Sequence, residues 1–472
     1  MSMFPNLPRK VFFQLGDISP EINMLFILQS VGDLPIEAMT EMIWEILSKH
    51  QIKNEAATQT VTVPYGGYTQ TYMLVWETIE RAYIEIADTV RSLKNLEGVY
   101  IAPGLDSVRI LEVAGLALYS FPKISSVQSD EPKMITFSGQ TIAQTEFTRI
   151  CWRIEAHWLV RDLVNLPPNL KNPERLQAII QTLPWKNTQV KVLELVELER
   201  QGFGLLLWVG AGSDIFPRVM TFERRGSTPG YKRALVGKGV TFDAGGVQIK
   251  PDTCMHDMKM DMAGAATVVG AFWYADGICD IQDGFVGAIG LVENMLWGSA
   301  FKPLDILTSH SGKTVEVHHT DAEGRLVLGD LVSYVWAEYT PKSIVTFATL
   351  TGACMSALGY NYAGLMSKSE SLTTEITTLA TRDQEQVWRL PLDDHMIEAT
   401  KATYADLKNH TKSYMAGASL GAAFIQNFVP ENTQFAHLDI AGPAYLPNAR
   451  GVYPENATWF GTNIAIWLLG LN

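Results

Sequence analysis

Hydrophobic and polar positions divide the chain into two patterns. Within residues 1–145, short apolar runs (MLFILQSV at 24–31, GVYIAPG at 98–104, LEVAGLALYSF at 111–121) alternate with helical spacing such as PIEAMTEMIWEILSKH at 35–50. This predicts a small α/β domain. Residues 122–145 are polar and rich in turn formers, and Glu146 to Val164 has apolar residues at helical spacing with charges between them. The prolines of NLPPNLKNP at 165–173 stop that helix. It reads as a linker helix and turn over 146–169, joining the N-terminal domain to a larger one over 170–472.

The larger region repeats strand, turn and helix. Its expected strands are VKVLEL at 190–195, GLLLWV at 204–209, RVMTFER at 218–224, RALVGKGVTF at 233–242, FVGAIGLV at 285–292, SIVTFATL at 343–350 and FAHLDI at 435–440. Continuous Val, Ile, Leu and Phe runs predict a sheet covered on both faces. The fold class is therefore α/β, with a C-terminal α/β/α domain around a mixed, largely parallel sheet. In such sheets ligands sit beyond the carboxyl ends of the strands.

At about 150 residues per domain, a chain of 472 holds two large domains or three ordinary ones. Hydrophobic residues make up 47% and charged residues 18%, so a large core can be buried and wholesale disorder is excluded. Lys plus Arg is 37 against 50 for Asp plus Glu, a formal charge of −13. That balance argues against a general nucleic-acid or anionic-membrane partner, although a local basic patch remains open. Cys151, Cys254, Cys279 and Cys354 form no CxxC and no regular spacing, which points to a reducing compartment. The N-terminus has no long apolar stretch behind its basic residues. Apolar runs such as those at 204–212 and 464–471 are far short of the ~20 residues that span a bilayer. The expectation is a soluble cytoplasmic protein with no membrane contact, in which the sequons at Asn409 and Asn456 are chance.

Chemistry gathers where the strands end. The segment from Val236 to Ala266 holds Lys238, Asp243, Lys250, Asp257 and Asp261, with Gly239, Gly245 and Gly246 free to approach a ligand or take positive φ. Further on, Asp321, Glu323 and Arg325 occupy a turn entering a helix. Any one of these aspartates could be a cap or a solvated loop residue. Together they put several carboxylates, two lysines and an arginine at strand ends in a chain sparing with charge. Gathering carboxylates is costly unless cations share the site. Oxygen donors suit divalent ions, and paired ions about 3.5–4 Å apart serve hydrolysis of peptides and of phosphates. The residues alone leave both reactions open.

VGKGVTFDAGGVQIKP (236–251), MKMDMAGAATV (258–268) and HTDAEGRLVLGD (319–330) resemble the signatures of the leucine aminopeptidase (cytosol aminopeptidase) family. NLPPN (165–169), ENMLWGSAFKPLD (293–305), ATLTGA (348–353), WRLPL (388–392) and HLDIAG (437–442) follow in that family's order. AGAS (416–419) and YADLKN (404–409) are similar to the bacterial peptidase B branch. The resemblance implies a metal-dependent aminopeptidase that releases N-terminal residues, leucine and other mostly neutral ones, from peptides with a free N-terminus. It implies Lys238, Asp243, Asp261, Asp321 and Glu323 as ligands of two divalent ions. Zinc or manganese suits them best, and magnesium or cobalt is compatible. A water bridging the two ions would be the nucleophile. Lys250 would stabilise the oxyanion, and Arg325 would hold a bicarbonate acting as general base. Met258, Thr349, Leu350 and Gly352 fall where family members shape the first side-chain pocket, with ordinary core as the alternative for Met258 and Leu350. The resemblance also implies a homohexamer, a dimer of trimers. Some bacterial relatives bind DNA, so a DNA-binding regulator is the alternative function.

Two positions depart from the family pattern. Ala244 stands where a serine is usual, and His319 where an asparagine is usual, a position bordering the substrate. Other fragments carry less. GASLG at 417–421 is not flanked by the strand and helix of a nucleophile elbow, GKT at 312–314 is no P-loop, and no HExxH occurs. Cys254 and His256 make an incomplete zinc set.

Overall fold

The computed structural model describes residues 11–15, 24–28, 59–65, 68–74, 79–93, 96–102, 104–121, 133–139, 142–278, 281–383, 385–411 and 415–471. They fall into two compact units, one within Met1–Trp158 and Ala449–Pro454, the other within Leu159–Asn448 and Glu455–Asn472. The helical pattern at 35–50 and Cys279 lie outside the described residues.

The first unit is built on a six-stranded sheet in the order Val11–Leu15, Lys133–Gly139, Gly98–Ile101, Met24–Leu28, Tyr68–Leu74, Gln59–Tyr65. All neighbours are parallel except the last pair. Every residue of Met24–Leu28 is buried, as a central strand with both faces covered requires. Two sequence expectations are corrected here. The turn-rich stretch 122–145 contains the strand Lys133–Gly139, because Ile135 and Phe137 are buried while the backbone pairs with strands on both sides. The apolar run at 111–121 lies mostly in the helix Ser107–Ala117, started by the Asp106 carboxylate accepting from Arg109 N–H at 3.0 Å.

The second unit is built on an eight-stranded mixed sheet. Its four central strands, Gln434–Asp439, Ser343–Ala348, Tyr231–Asp243 and Gly284–Asn294, run parallel. Arg218–Arg224 and then Gln189–Leu193 continue one side in antiparallel pairing. Ala363–Ser367 runs antiparallel to Gln434–Asp439 on the other side, and Val387–Arg389 forms the edge. The parallel strands have their carboxyl ends together. The helices Ala263–Gly277 and Gly324–Tyr339 pack on the sheet, the first buried along nearly its whole length and the second along most of it. Among the described residues, no helix is long and apolar enough to cross a membrane.

One expected strand is a helix. GLLLWV forms the helix Gly204–Val209, with Leu205, Leu206 and Val209 buried and Trp208 exposed. A short apolar run does not distinguish strand from buried helix by period. Here Gly202, in the left-handed region at φ 78°, and Gly210 bound the single turn and a half.

Asp330 fastens this helix to the core. It is fully buried and accepts from Leu206 N–H at 3.0 Å and His310 N–H at 2.8 Å. Burial pushes its carboxyl up to about 7, above the unfolded value of about 3.9. Its contribution to stability is thus fully present below about pH 4 and is lost as the pH rises through about 7. The fall in thermal midpoint between pH 4 and pH 8 is expected to shrink in Asp330→Asn. An unchanged fall would refute this assignment.

Candidate functional site

The site forms where the central strands end. Val240 pairs with Val292 but Phe242 pairs with Glu293, so Thr241 is an extra residue on the strand Tyr231–Asp243. Side chains alternate faces along a strand, and a bulge shifts that alternation by one. Lys238 and Asp243, five positions apart, consequently share a face. Asp243 then lies opposite Asn294, whose buried amide donates to Asp243 Oδ1 at 2.9 Å and to Thr320 O at 3.1 Å.

The chain next folds back on itself. Gly245 and Gly246 have φ of 89° and 66°. A Cβ at Gly245 would lie 2.7 Å from Gln248 O, and one at Gly246 would lie 2.8 Å from Asn294 Oδ1, so both glycines are demanded by conformation and by space. Lys250 N–H closes the loop on Ala244 O at 2.9 Å. Its Nζ returns to Asp243 at 2.7 Å and Asp321 at 2.5 Å.

Two helices bring the remaining acids. Asp261 precedes the helix Ala263–Gly277, and Glu323 is the cap residue of Gly324–Tyr339. Lys238 Nζ lies between them, 2.7 Å from Asp261 and 2.9 Å from Glu323, and also donates to Thr349 O at 3.1 Å. A Cβ on residue 324 would come within 2.5 Å of Lys238 Cε, so Gly324 makes room for the lysine. Thr349 Oγ1 donates to Asp261 Oδ1 at 2.8 Å.

Four carboxylates and two lysines therefore interleave in a largely buried space. Burial raises the carboxyls of Asp243, Asp261 and Asp321, and the neighbouring carboxylates add to the rise. Glu323 is also pushed up by burial, but Lys238 and Lys250 outweigh this and hold it low. Burial disfavours both ammonium groups, yet the surrounding acids keep them protonated and raised. The cluster fits divalent cations. Asp243, Asp261 and Glu323 each offer a buried oxygen, all within 4.8 Å of one another. Glu323 Oε2 is buried without a hydrogen-bond partner. Hard oxygen donors of this kind suit manganese, magnesium and, with a nitrogen ligand, zinc.

A cavity of about 510 Å³ opens onto the cluster, and the eleven residues to which the resemblance gives catalytic, metal-binding or pocket roles all line it. Arg325 is buried at one side, with Nη1 donating to Asn409 O at 2.9 Å and Nε left without a partner. Burial lowers its pKa to about 10. Thr349, expected as a pocket residue, also holds Asp261 and Lys238 in place. Leu350 packs partly against the hydrophobic core, and its N–H donates to the buried Asp439 at 3.1 Å. His319 lies ring to ring with His410 at 5.3 Å, and its Nδ1 accepts from Asp321 N–H at 3.2 Å. Ala244 is buried, and its N–H donates to Asn294 O at 2.9 Å.

Asn294, Asn409 and Asp439 are site residues that sequence reasoning missed. Asn409 is fully buried; its amide donates to His319 O and Ala322 O and accepts from His318 and His319 N–H. It shapes the turn that carries Asp321 and Glu323. Asn294 could have been found, since it ends the strand two residues past the apolar run at 285–292. Asn409 sits in a polar stretch with no such signal. Ser419 of GASLG is buried within the helix Gly417–Gln426, which is not the exposed strand-to-helix elbow of a nucleophile.

Comparison with known proteins places this geometry. Residues 158–466 match the cytosol aminopeptidase family, catalytic domain. A probable cytosol aminopeptidase of Cenarchaeum symbiosum is 38% identical over 77% of this chain and 75% of its own length. One from Syntrophotalea carbinolica is 43% identical over 66% of this chain and 62% of its own. Among solved structures, the bottromycin maturation enzyme BotP in complex with Mn is similar at TM-score 0.81 and 27% identity, covering 95% of this chain and 99% of that one. A cytosol aminopeptidase from Coxiella burnetii matches at TM-score 0.81 and 25% identity, over 97% and 98% of the two chains. The chain belongs to the cytosol aminopeptidase family, and with it to the metal-dependent exopeptidases of leucyl aminopeptidase type.

Proposed function

We propose that this protein is a two-metal aminopeptidase that removes leucine and other mostly neutral residues, one at a time, from peptides with a free N-terminus. The observation that carries this reading is the buried set of Asp243, Asp261 and Glu323 oxygens within 4.8 Å of one another, interleaved with Lys238 and Lys250. Asp243, Asp261, Asp321, Glu323 and a deprotonated Lys238 would hold two ions, with manganese or zinc favoured. When bound, such ions supply a nucleophile at neutral pH and polarise the scissile carbonyl.

The substrate's free α-amine, as the neutral base, would be ligated by one of the ions, which restricts cleavage to the first residue. The chain's own residues do the rest. Lys250, whose Nζ faces the cavity beside Asp243 and Asp321, donates to the oxyanion as the tetrahedral intermediate forms. Arg325 has an unpartnered buried Nε with which to hold an anion, for which bicarbonate serves as general base. Met258 and Leu350 give the first side-chain pocket its apolar lining. Gly352 leaves it open, since a Cβ there would meet nothing within 4 Å. A cytoplasmic homohexamer accords with this reading.

Free but not N-blocked leucine amides are expected to be cleaved with Mn²⁺ or Zn²⁺ present, and not after chelation. Lys250→Ala and Asp321→Ala are each expected to lower kcat by roughly 100-fold or more. Retention of activity by both variants would refute the assigned roles.

The protonated state of Lys238 makes a second prediction. Metal must displace its proton, so Mn²⁺ binding is expected to release protons and to tighten as the pH rises. Calorimetry in buffers of different ionisation enthalpy measures the release. Lys238→Met should release fewer protons and show a shallower pH dependence, the remainder coming from the raised carboxyls of Asp243, Asp261 and Asp321, and equal proton release by both proteins would exclude Lys238 as a ligand.

A further inference from the structure

An aromatic strip leads out of the cavity along the edge of the sheet. Met355 and Tyr360 line the cavity and are also exposed, at 36% and 40%. The position of Tyr360 is fixed from below, because a Cβ on Gly442 would lie only 2.1 Å from Gly359 O. Two residues on, the half-buried Tyr362 meets Trp388 edge to face, with ring centroids 6.1 Å apart. Trp388 is 60% exposed on the edge strand Val387–Arg389.

Sheet register places this strip at the mouth of the site. Trp388 pairs with Gly364, and Gly364 pairs with Asp439. Asp439 is the buried acid that accepts from Leu350 N–H at 3.1 Å and Thr351 Oγ1 at 2.7 Å beneath the pocket. Two strand spacings put Trp388 about 10 Å from Asp439, which about three residues of extended peptide would span.

We propose that Tyr360, Tyr362 and Trp388 form a subsite for the third and fourth residues of the peptide being shortened, and that it favours apolar and aromatic side chains there. The proposal rests on the aminopeptidase reading above. A peptide held by its amine at the metal cluster must leave through the mouth, where Met355 and Tyr360 line the cavity and lead on to Tyr362 and Trp388. An aromatic ring is uncharged and offers large contact area at little entropic cost, and ring pairs add to the area they bury.

The test compares kcat/KM for Leu-Gly-Phe-Phe-amide and Leu-Gly-Gly-Gly-amide in the Mn²⁺-loaded protein. The wild type should prefer the aromatic peptide by roughly 3- to 10-fold, mainly through KM. Trp388→Ala should bring the ratio close to one, and Trp388→Phe should restore most of it. No wild-type preference, or a preference that survives in Trp388→Ala, overturns the proposal. So does an equal fall on both peptides with a changed size in solution, which would make the strip a contact between copies of the chain. Wild-type hydrolysis of leucine p-nitroanilide, which ends before the strip, separates the two levels. Turnover of the anilide without peptide preference removes the subsite alone, whereas no turnover of any substrate removes the aminopeptidase reading and the subsite with it.

Discussion

Four carboxylates held close together in a largely buried space repel one another, and each resists ionisation there. Everything around the site answers that constraint. Lys238 and Lys250 are threaded between the acids so that each ammonium touches two of them. Burial and like charge still hold three of the four acids well above their ordinary range. Such a cluster is poor at supporting a fold but well suited to receiving cations, because bound cations relieve the strain that the protein has assembled.

The surrounding structure keeps this arrangement from collapsing. The acids arrive on separate pieces of chain, one at a strand end, one ahead of a helix, one on a turn and one at a helix cap. Two of them are held directly by neutral donors, and a third neutral group shapes the turn that bears the other two. Asn294 donates to Asp243, Thr349 donates to Asp261, and Asn409 shapes the turn bearing Asp321 and Glu323. The two helices that supply Asp261 and Glu323 are deeply buried against the sheet. The polar cluster is thereby held by a rigid apolar frame.

Much of the fold was legible in the chain. The strands at 218–224, 233–242, 285–292, 343–350 and 435–440 emerged from apolar runs, and the helix over 146–164 from its spacing. The misreadings share a cause. The run at 204–209 is too short for its period to separate strand from helix, and 133–139 is a strand because of the neighbours it pairs with. In the site, charged residues stood out because the chain uses charge sparingly. Neutral Asn294 and Asn409 did not, since an amide is common anywhere.

The sequence by itself determined which residues could do chemistry here and that they fall at strand ends, because composition, apolar runs and motif spacing are local properties. Only the tertiary structure decided which of them meet. The extra residue at Thr241 turns Asp243 toward Lys238 through pairing with a strand some fifty positions away. Gly324 matters because Lys238 passes over it, and the aromatic strip exists because the edge strand at 387–389 pairs beside 363–365. Contacts of this kind depend on distant parts of the chain packing together, and no local pattern records them.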